Sequence, residues 1–386
     1  MVPPLSMIDH KTLIDKFETQ FDHAPAFIIR APGRVNLLGE HTDYNDGFVL
    51  PMAIDRAVWI AFHPREDQQV NIYASNFDER LSFSVAYLEK GEGWGEYLKG
   101  VANALNAEGF PLNGWDGVMV GDVPVGAGLS SSAAVEIAAT RAFSLASGWE
   151  WDPRRMAQIG QRAEVDGVGV NSGIMDQMVS AAAIAGNALF LDTRSLEFEQ
   201  IPLPKDVAVV VMDTSTRRGL VTSAYNTRRD ECEQAAKILR VKALRDVNLD
   251  ALIEKKNDLG KIVFRRAKHV VTENQRVLDA IAAFQKDDIK TVGRLFNESH
   301  GSLRDDFEVT NDALNWIVEI AQSQPGCYGA RMTGAGFGGA AVALVKMNAV
   351  GAFKKAVEEG YRQKSEMDAA IYICEASAGA SVEVYY

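Results

Sequence analysis

The stretch from Ala31 to Tyr44, APGRVNLLGEHTDY, places Arg34 ahead of Glu40, His41, Thr42 and Asp43 around an expected turn. Fixed carboxylates and imidazoles suit hydroxyl-rich ligands, because a carboxylate accepts from adjacent hydroxyls and selects against a ligand that lacks one. On the charges alone, a solvated hairpin is the simpler reading. A second stretch, DVPVGAGLSSS from Asp122 to Ser132, joins a short alternating strand to a segment of high helical propensity. Gly126 and Gly128 let backbone amides approach an anion, the helix start offers unpaired N–H groups and a positive dipole end, and the serines add hydroxyls. Gly126, Ala127, Gly128, Leu129, Ser130, Ser131 and Ser132 therefore form a candidate phosphate cradle. It is not a Walker A loop, since no Gly-Lys-Ser/Thr follows, and Ser131 stands where a dinucleotide fingerprint has its third glycine. A glycine-serine cap on a core helix is the competing reading.

The surrounding elements must hold these groups in place. Phe27 to Leu38 and Gly47 to Pro51 read as strands flanking a tight turn, because Tyr44-Asn45-Asp46-Gly47 contains residues that tolerate positive φ. In the helix after the cradle, the polar positions Glu136, Thr140 and Ser144 recur every four residues, which predicts burial except along one narrow stripe. Asp152 and Pro153 cap and open another helix, with Glu164 in its last turns. Past Pro202 and Pro204, VAVVVMD reads as a buried strand opening a second unit, so the domains are drawn at 1–205 and 206–386. Leu220 to Leu239 and Ile262 to Ala283 have the spacing of helices that cover a sheet and are read as structural. Gly334, Gly336, Gly338 and Gly339 suggest a tight strand connection, and Arg217, Arg218, Arg228 and Arg229 form two basic pairs that mostly suit solvent.

The 386 residues exceed what one core usually supports, so two domains around a cleft are expected. A formal charge of -12 disfavours nucleic acid and anionic membrane surfaces as partners. Three scattered cysteines, Cys232, Cys327 and Cys374, show neither a disulfide framework nor metal-ligand spacing and fit a reducing compartment. No apolar run approaches the roughly 20 residues of a membrane span, and the amino terminus lacks the pattern of a secretion signal. A cytoplasmic location follows as the expectation, with a monomer favoured.

GRVNLLGEHTDYNDGFVLP resembles the signature segment of galactokinases in a long, nearly gapless match. PVGAGLSSSAA is similar to the phosphate loop of the wider GHMP small-molecule kinases, and RMTGAGFGG to their late glycine-rich motif. The resemblance implies an α+β protein of two lobes, each a mostly antiparallel mixed sheet backed by helices, with the active site in the cleft between them. It implies ATP-dependent phosphorylation of the anomeric hydroxyl of α-D-galactose, giving galactose 1-phosphate and ADP with Mg2+ as cofactor. By matching position, residues 126–132 would cradle ATP, Ser132 and Glu164 would hold the metal, and Glu40, His41, Thr42, Asp43 and Tyr225 would line the sugar site. GIMDQ points to Asp176 as base, with Arg34 stabilising the transition state.

Asp176 follows Ser172 and Gly173 at an expected helix start, where the dipole and Arg34 favour the charged carboxylate. Such an aspartate is a weak base, which suffices for a loose phosphoryl-transfer transition state. Two positions depart from the pattern: Ala335 stands for a usual glycine and Ser172 for a frequent cysteine, both expected to change packing and not chemistry. A binding-only sensor is disfavoured because Asp176, Arg34 and the serine run are all present. Other sugar acceptors, such as N-acetylgalactosamine or arabinose, stay open, while mevalonate and homoserine would not need the Glu-His-Thr-Asp segment.

Overall fold

The computed structural model describes residues 9–169, 172–216 and 221–385. Twelve strands among them form two sheets. In chain order they are β1 (Phe27–Leu38), β2 (Phe48–Pro64), β3 (Gln69–Ala74), β4 (Glu79–Ser84), β5 (Trp115–Gly121), β6 (Asn187–Asp192), β7 (Phe198–Pro202), β8 (Val207–Asp213), β9 (Cys327–Thr333), β10 (Ala340–Lys346), β11 (Ala370–Cys374) and β12 (Ser381–Val384). The larger sheet runs β12-β1-β2-β5-β3-β4, with β6 and β7 continuing from β2, and the smaller runs β11-β8-β10-β9. Every pairing is antiparallel except that of β3 with β5. The last strand of the chain therefore returns to the edge of the first sheet, beside β1.

The turn after β1 forms as its residue types require. A short 3-10 turn, Asp43–Asn45, ends at Asp46 with φ 56°. Gly47 is there for space: a Cβ on it would stand 2.4 Å from Asn274 Oδ1 and 2.7 Å from Thr42 Cβ. β2 runs well beyond the expected five residues, to Pro64: its register with β1 shifts between Ala53 and Ala57, around the charged pair Asp55-Arg56, and pairing resumes on the far side. At Asp152 the side chain accepts from the Arg154 and Arg155 N–H groups and Pro153 takes the first turn, as read.

The helix Ser131–Ser147 differs from expectation in one respect. Its polar stripe is not exposed: Glu136 and Thr140 are 0% exposed and Ser144 1%. Periodicity marks a face but not what covers it, and here the helices Pro153–Arg162 and Met175–Ala182 pack on that side. An apolar cluster lies where the sheets meet, combining Val35, Leu37, Leu50 and Met52 with Val209, Val211, Leu344, Val277 and Phe296. That shared core fixes one lobe against the other, and the polar ends of β1 and β9 meet above it.

Candidate active site

Gly33 brings β1 against the glycine-serine loop so closely that a Cβ on it would lie 2.7 Å from Leu129 O. The next residue, Arg34, is 6% exposed and uses its whole fork. Its Nε and Nη2 donate to the two oxygens of Asp176 at 2.8 and 2.9 Å, and its Nη1 donates to Gly128 O at 2.6 Å. One guanidinium thus ties the loop to the aspartate in a bidentate, charge-assisted geometry. Ser130, at φ 59°, donates its hydroxyl to Asp176 as well. Asp176 sits in the first turn of the helix Met175–Ala182.

The helix Ser131–Ser147 begins without a side-chain cap, so its first N–H groups are left for an anion. The three serine hydroxyls do not all face that anion. Ser132 donates to Glu164 Oε1 at 3.0 Å, while Ser130 is committed to Asp176. Glu164 lies in a π-helical turn, Ala163–Val168, that continues the helix Pro153–Arg162. Its other oxygen accepts from Ser172 and from Gln177 Nε2. Burial pushes this carboxyl above its ordinary range, and the nearby Asp176 charge adds to that. Ser172 therefore does more than fill space: its hydroxyl holds Glu164, a contact that a reading by side-chain size does not reveal.

Arg34, Glu40, His41, Asp43, Glu164, Asp176 and Tyr225 line one cavity of about 200 Å³. Glu40 is 3% exposed and accepts from Arg331 Nη2 at 2.5 Å, Asn36 Nδ2 at 3.1 Å and Gly334 N at 2.8 Å. Arg331 is 0% exposed and also donates to the carbonyls of Asn36 and Leu37. Behind them, Glu273 accepts from the N–H groups of Gly39 and Glu40, and His269 Nε2 bonds the Glu40 carbonyl. Burial raises the Glu273 carboxyl, but Arg276, His269 and Arg331 outweigh it and hold it below the ordinary range. The long helix Lys261–Phe284, read as a structural cover, is thus the support of the charged turn.

His41 sits at φ 63° with Nδ1 bonded to the Tyr44 hydroxyl at 2.8 Å, and its ring packs on Tyr225 and Phe307. Burial, with His269 nearby, pulls its imidazole down to about 3, so it is neutral. Asp43 has one described donor, the Tyr44 N–H at 3.0 Å. Burial, reinforced by the charges of Asp176 and Glu40, pushes its carboxyl up to about 7. Gly173 must lack a side chain because a Cβ would fall 2.0 Å from Asp43 Oδ2. Thr42 does not reach the cavity: it is 0% exposed and its hydroxyl bonds the carbonyls of Gly39 and Phe48, closing the turn instead.

The late glycines pack beside the loop, with a Cβ on Gly334 only 3.3 Å from Gly128 O. Gly334 and Gly336 have φ 86° and 81°, whereas Ala335 has no positive φ and so carries its methyl without strain. A second, mostly apolar cavity of about 330 Å³ adjoins Ser131 and Ser132 and is lined by Phe77, Trp94, Tyr97, Met119, Val125 and Val135. These side chains come from the helix Gly95–Ala107, β5, the helix Ser131–Ser147 and turns between elements, and carry no local motif. Arg228 donates to the carbonyls of Phe307 and Glu308 and pairs with Glu231, and Arg229 pairs with Glu233. Arg217 and Arg218 lie outside the described residues.

Three family models match the chain: the galactokinase galactose-binding signature over residues 15–64, the GHMP kinase N-terminal domain over 96–186 and the GHMP kinase C-terminal domain over 280–363. The chain is 44% identical to a galactokinase of Roseiflexus sp. (strain RS-1), covering 97% of each, and 43% identical to one of Chloroflexus aurantiacus, covering 97% of this chain and 98% of the relative. Its structure matches that of Lactococcus lactis galactokinase complexed with galactose, with a TM-score of 0.93 and 35% identity over 96% of this chain and 99% of that one. A mevalonate kinase structure, 17% identical with a TM-score of 0.64 over 91% of this chain and 99% of that one, shares the fold alone. The fold is thus the two-lobed α+β fold of GHMP kinases, and the chain belongs to the galactokinase family.

Proposed function

We propose that this protein transfers the terminal phosphate of ATP to the anomeric hydroxyl of α-D-galactose, giving galactose 1-phosphate and ADP. The observation that carries this reading is the single guanidinium of Arg34, which holds Asp176 at 2.8 and 2.9 Å and the glycine-serine loop at 2.6 Å. A nucleophile oriented by Asp176 and a phosphate on the loop would meet at that one cation. The sugar sits among Glu40, His41, Asp43 and Tyr225, with Asp43 the acceptor that has most capacity left. Thr42 acts on the sugar only by shaping the turn. Residues 126–132 receive the phosphates, and the apolar cavity beside Ser131 takes the flat base of the nucleotide.

Asp176 orients the anomeric hydroxyl and accepts its proton as the bond to phosphorus forms and the bond to the ADP oxygen breaks. A loose phosphoryl-transfer transition state needs no strong base, because the proton moves late. Arg34 offsets the negative charge that builds on the transferring group. Among the described residues no cluster of three His, Cys, Asp or Glu side chains marks a metal cage. Magnesium needs none, because it keeps waters and shares phosphate oxygens. Glu164 and Ser132, 3.0 Å apart at the helix start, are a hard oxygen pair that fits that ion. When bound, the ion neutralises charge on the phosphate oxygens.

We take the lobes to divide near residue 205, as 1–205 and 206–386 with the strand Ser381–Val384 returned to the first sheet, and the enzyme to act as a cytoplasmic monomer. Among the described residues no helix is long and apolar enough to cross a membrane. The test is an ATP-consumption assay with magnesium across galactose, glucose, N-acetylgalactosamine and arabinose. Galactose is expected to be clearly preferred; equal rates on glucose overturn the substrate, and no turnover on any sugar overturns the reaction.

A further inference from the structure

We propose that Glu136 is a positioning residue for the reaction, which acts through the amide of Gln177 to aim the Glu164 carboxylate into the cleft. This rests on the reading of Glu164 as a holder of the divalent cation. Glu136 lies in the second turn of the helix that follows the glycine-serine loop, and both it and Gln177 are 0% exposed. Gln177 follows the candidate base Asp176 directly, and Gly160 leaves it room, since a Cβ there would stand 3.1 Å from Gln177 Cγ. Its Nε2 donates to Glu136 Oε2 at 2.9 Å and to Glu164 Oε2 at 3.1 Å. One amide group thus links a carboxyl that faces no cavity to the carboxyl that does.

Within the linked trio Glu136, Gln177 and Glu164, two oxygens lack partners: Glu136 Oε1 and Gln177 Oε1. Buried polar atoms are rarely left unpaired, because each orphan costs the full desolvation of the group. A single proton on Glu136 Oε1 removes both defects, since it can be donated to Gln177 Oε1 while Gln177 Nε2 donates back to Glu136 Oε2. The two side chains then form a closed acid–amide pair. Burial, with Glu164 nearby, raises the Glu136 carboxyl well above its ordinary range, in keeping with a retained proton. The pair also settles which way the amide points. With its oxygen facing the acid, the nitrogen must face Glu164, which leaves Glu164 Oε1 and Ser132 toward the helix start.

The test compares Glu136→Met with Glu136→Gln. Manganese binding is followed by electron paramagnetic resonance in the presence of a non-hydrolysable ATP analogue, and galactose binding by calorimetry. Loss of a partner bonded directly to a metal ligand typically costs ten- to a hundredfold in affinity; Glu136 acts one residue further out, through Gln177, so Glu136→Met is expected to weaken manganese binding by about tenfold, the low end of that range. Galactose affinity should stay at the wild-type value in both variants. Glu136→Gln should bind manganese nearly as wild type does, because two amides close the same ring that the neutral acid closes. If Glu136→Met does not fold, Gln177→Met makes the same cut from the other side and should show the same loss. Wild-type manganese affinity in the methionine variant, or an equal loss in Glu136→Gln, overturns the proposal. Glu164→Gln separates the two layers. If that change leaves manganese binding intact, the reading of Glu164 fails and the proposal with it; if it abolishes binding while Glu136→Met does not, only the proposal fails.

Discussion

On the proposed sugar side of the cleft, Glu40 is 3% exposed and takes three donors from Arg331, Asn36 and Gly334 before any ligand arrives. On the proposed nucleotide side, Phe77 and Val125 stand 51% and 74% exposed among other apolar side chains. The first wall is made of buried charge whose geometry is set by a second layer, Glu273, His269 and Arg331. The second is an open apolar surface whose contribution scales with the area it covers. Buried polar groups reject a ligand that cannot pair with them, whereas an apolar wall discriminates weakly. On the proposed assignment, selectivity for the acceptor and affinity for the nucleotide are built from different materials, joined at Arg34 and Asp176.

The largest effect is expected at that junction. Asp176→Asn should lower turnover by about 10³-fold, within the range for a lost general base. Galactose binding by calorimetry should persist, and normal turnover would break the assignment of Asp176. On the sugar wall, Arg331→Met leaves a buried carboxylate unpaired and should cost about 3–5 kcal/mol in denaturant unfolding, with galactose binding lost. Adding Glu40→Gln to it should recover part of that stability, since the orphaned charge is then gone. A pair worth nothing here would mean that the wall is not held by buried charge.

On the nucleotide wall, Phe77→Ala removes a ring stacked on Trp94 with centroids 6.3 Å apart. An aromatic pair is worth about 1 kcal/mol, so KM for ATP should rise about fivefold. KM for galactose should not move; if it does, the walls are not independent. The smallest effect on substrate binding is a pH dependence. Asp43 in the folded chain holds its proton up to about 7, against an ordinary value of 3.8. The folded state then binds more protons than the unfolded one between those values, so stability falls as pH rises across that window and levels off above it. An ionised Asp43 accepts hydroxyls better, so KM for galactose should fall as pH rises through 7. Asp43→Asn should flatten both profiles.

Short-range features were readable from residue types. β1 spans Phe27–Leu38 as its apolar pattern indicates, Asp152 and Pro153 start their helix, and the glycine-serine loop leads into an uncapped helix. What could not be read is what covers a face. Glu136, Thr140 and Ser144 have the types of a wet stripe but meet Gln177 and neighbouring helices. Arg331 reaches Asn36 across 295 positions, and no local spacing announces such a pair. Likewise, the charges on the helix Lys261–Phe284 look like solvent contacts until Glu273 is found under Gly39 and Glu40. Side-chain type gives the capacity for a hydrogen bond, while the partner comes from topology.

The backbone contact between Gly334 and Gly128 bears on how the molecule comes into being. A loop made early in synthesis has its floor supplied by a strand connection made near the end, and β12 reaches the edge of β1 later still. Contacts of such long span carry the loop-closure cost of the whole intervening chain and form late. A nascent chain that stops short of Cys327 is expected to have its first sheet without the β12 edge and to bind neither ligand, as binding assays on ribosome-released fragments can check. In refolding, regain of galactose binding should lag the far-ultraviolet dichroism signal. Substrate would then reward only completed molecules, and added galactose should protect the finished enzyme while leaving the earlier steps of folding untouched.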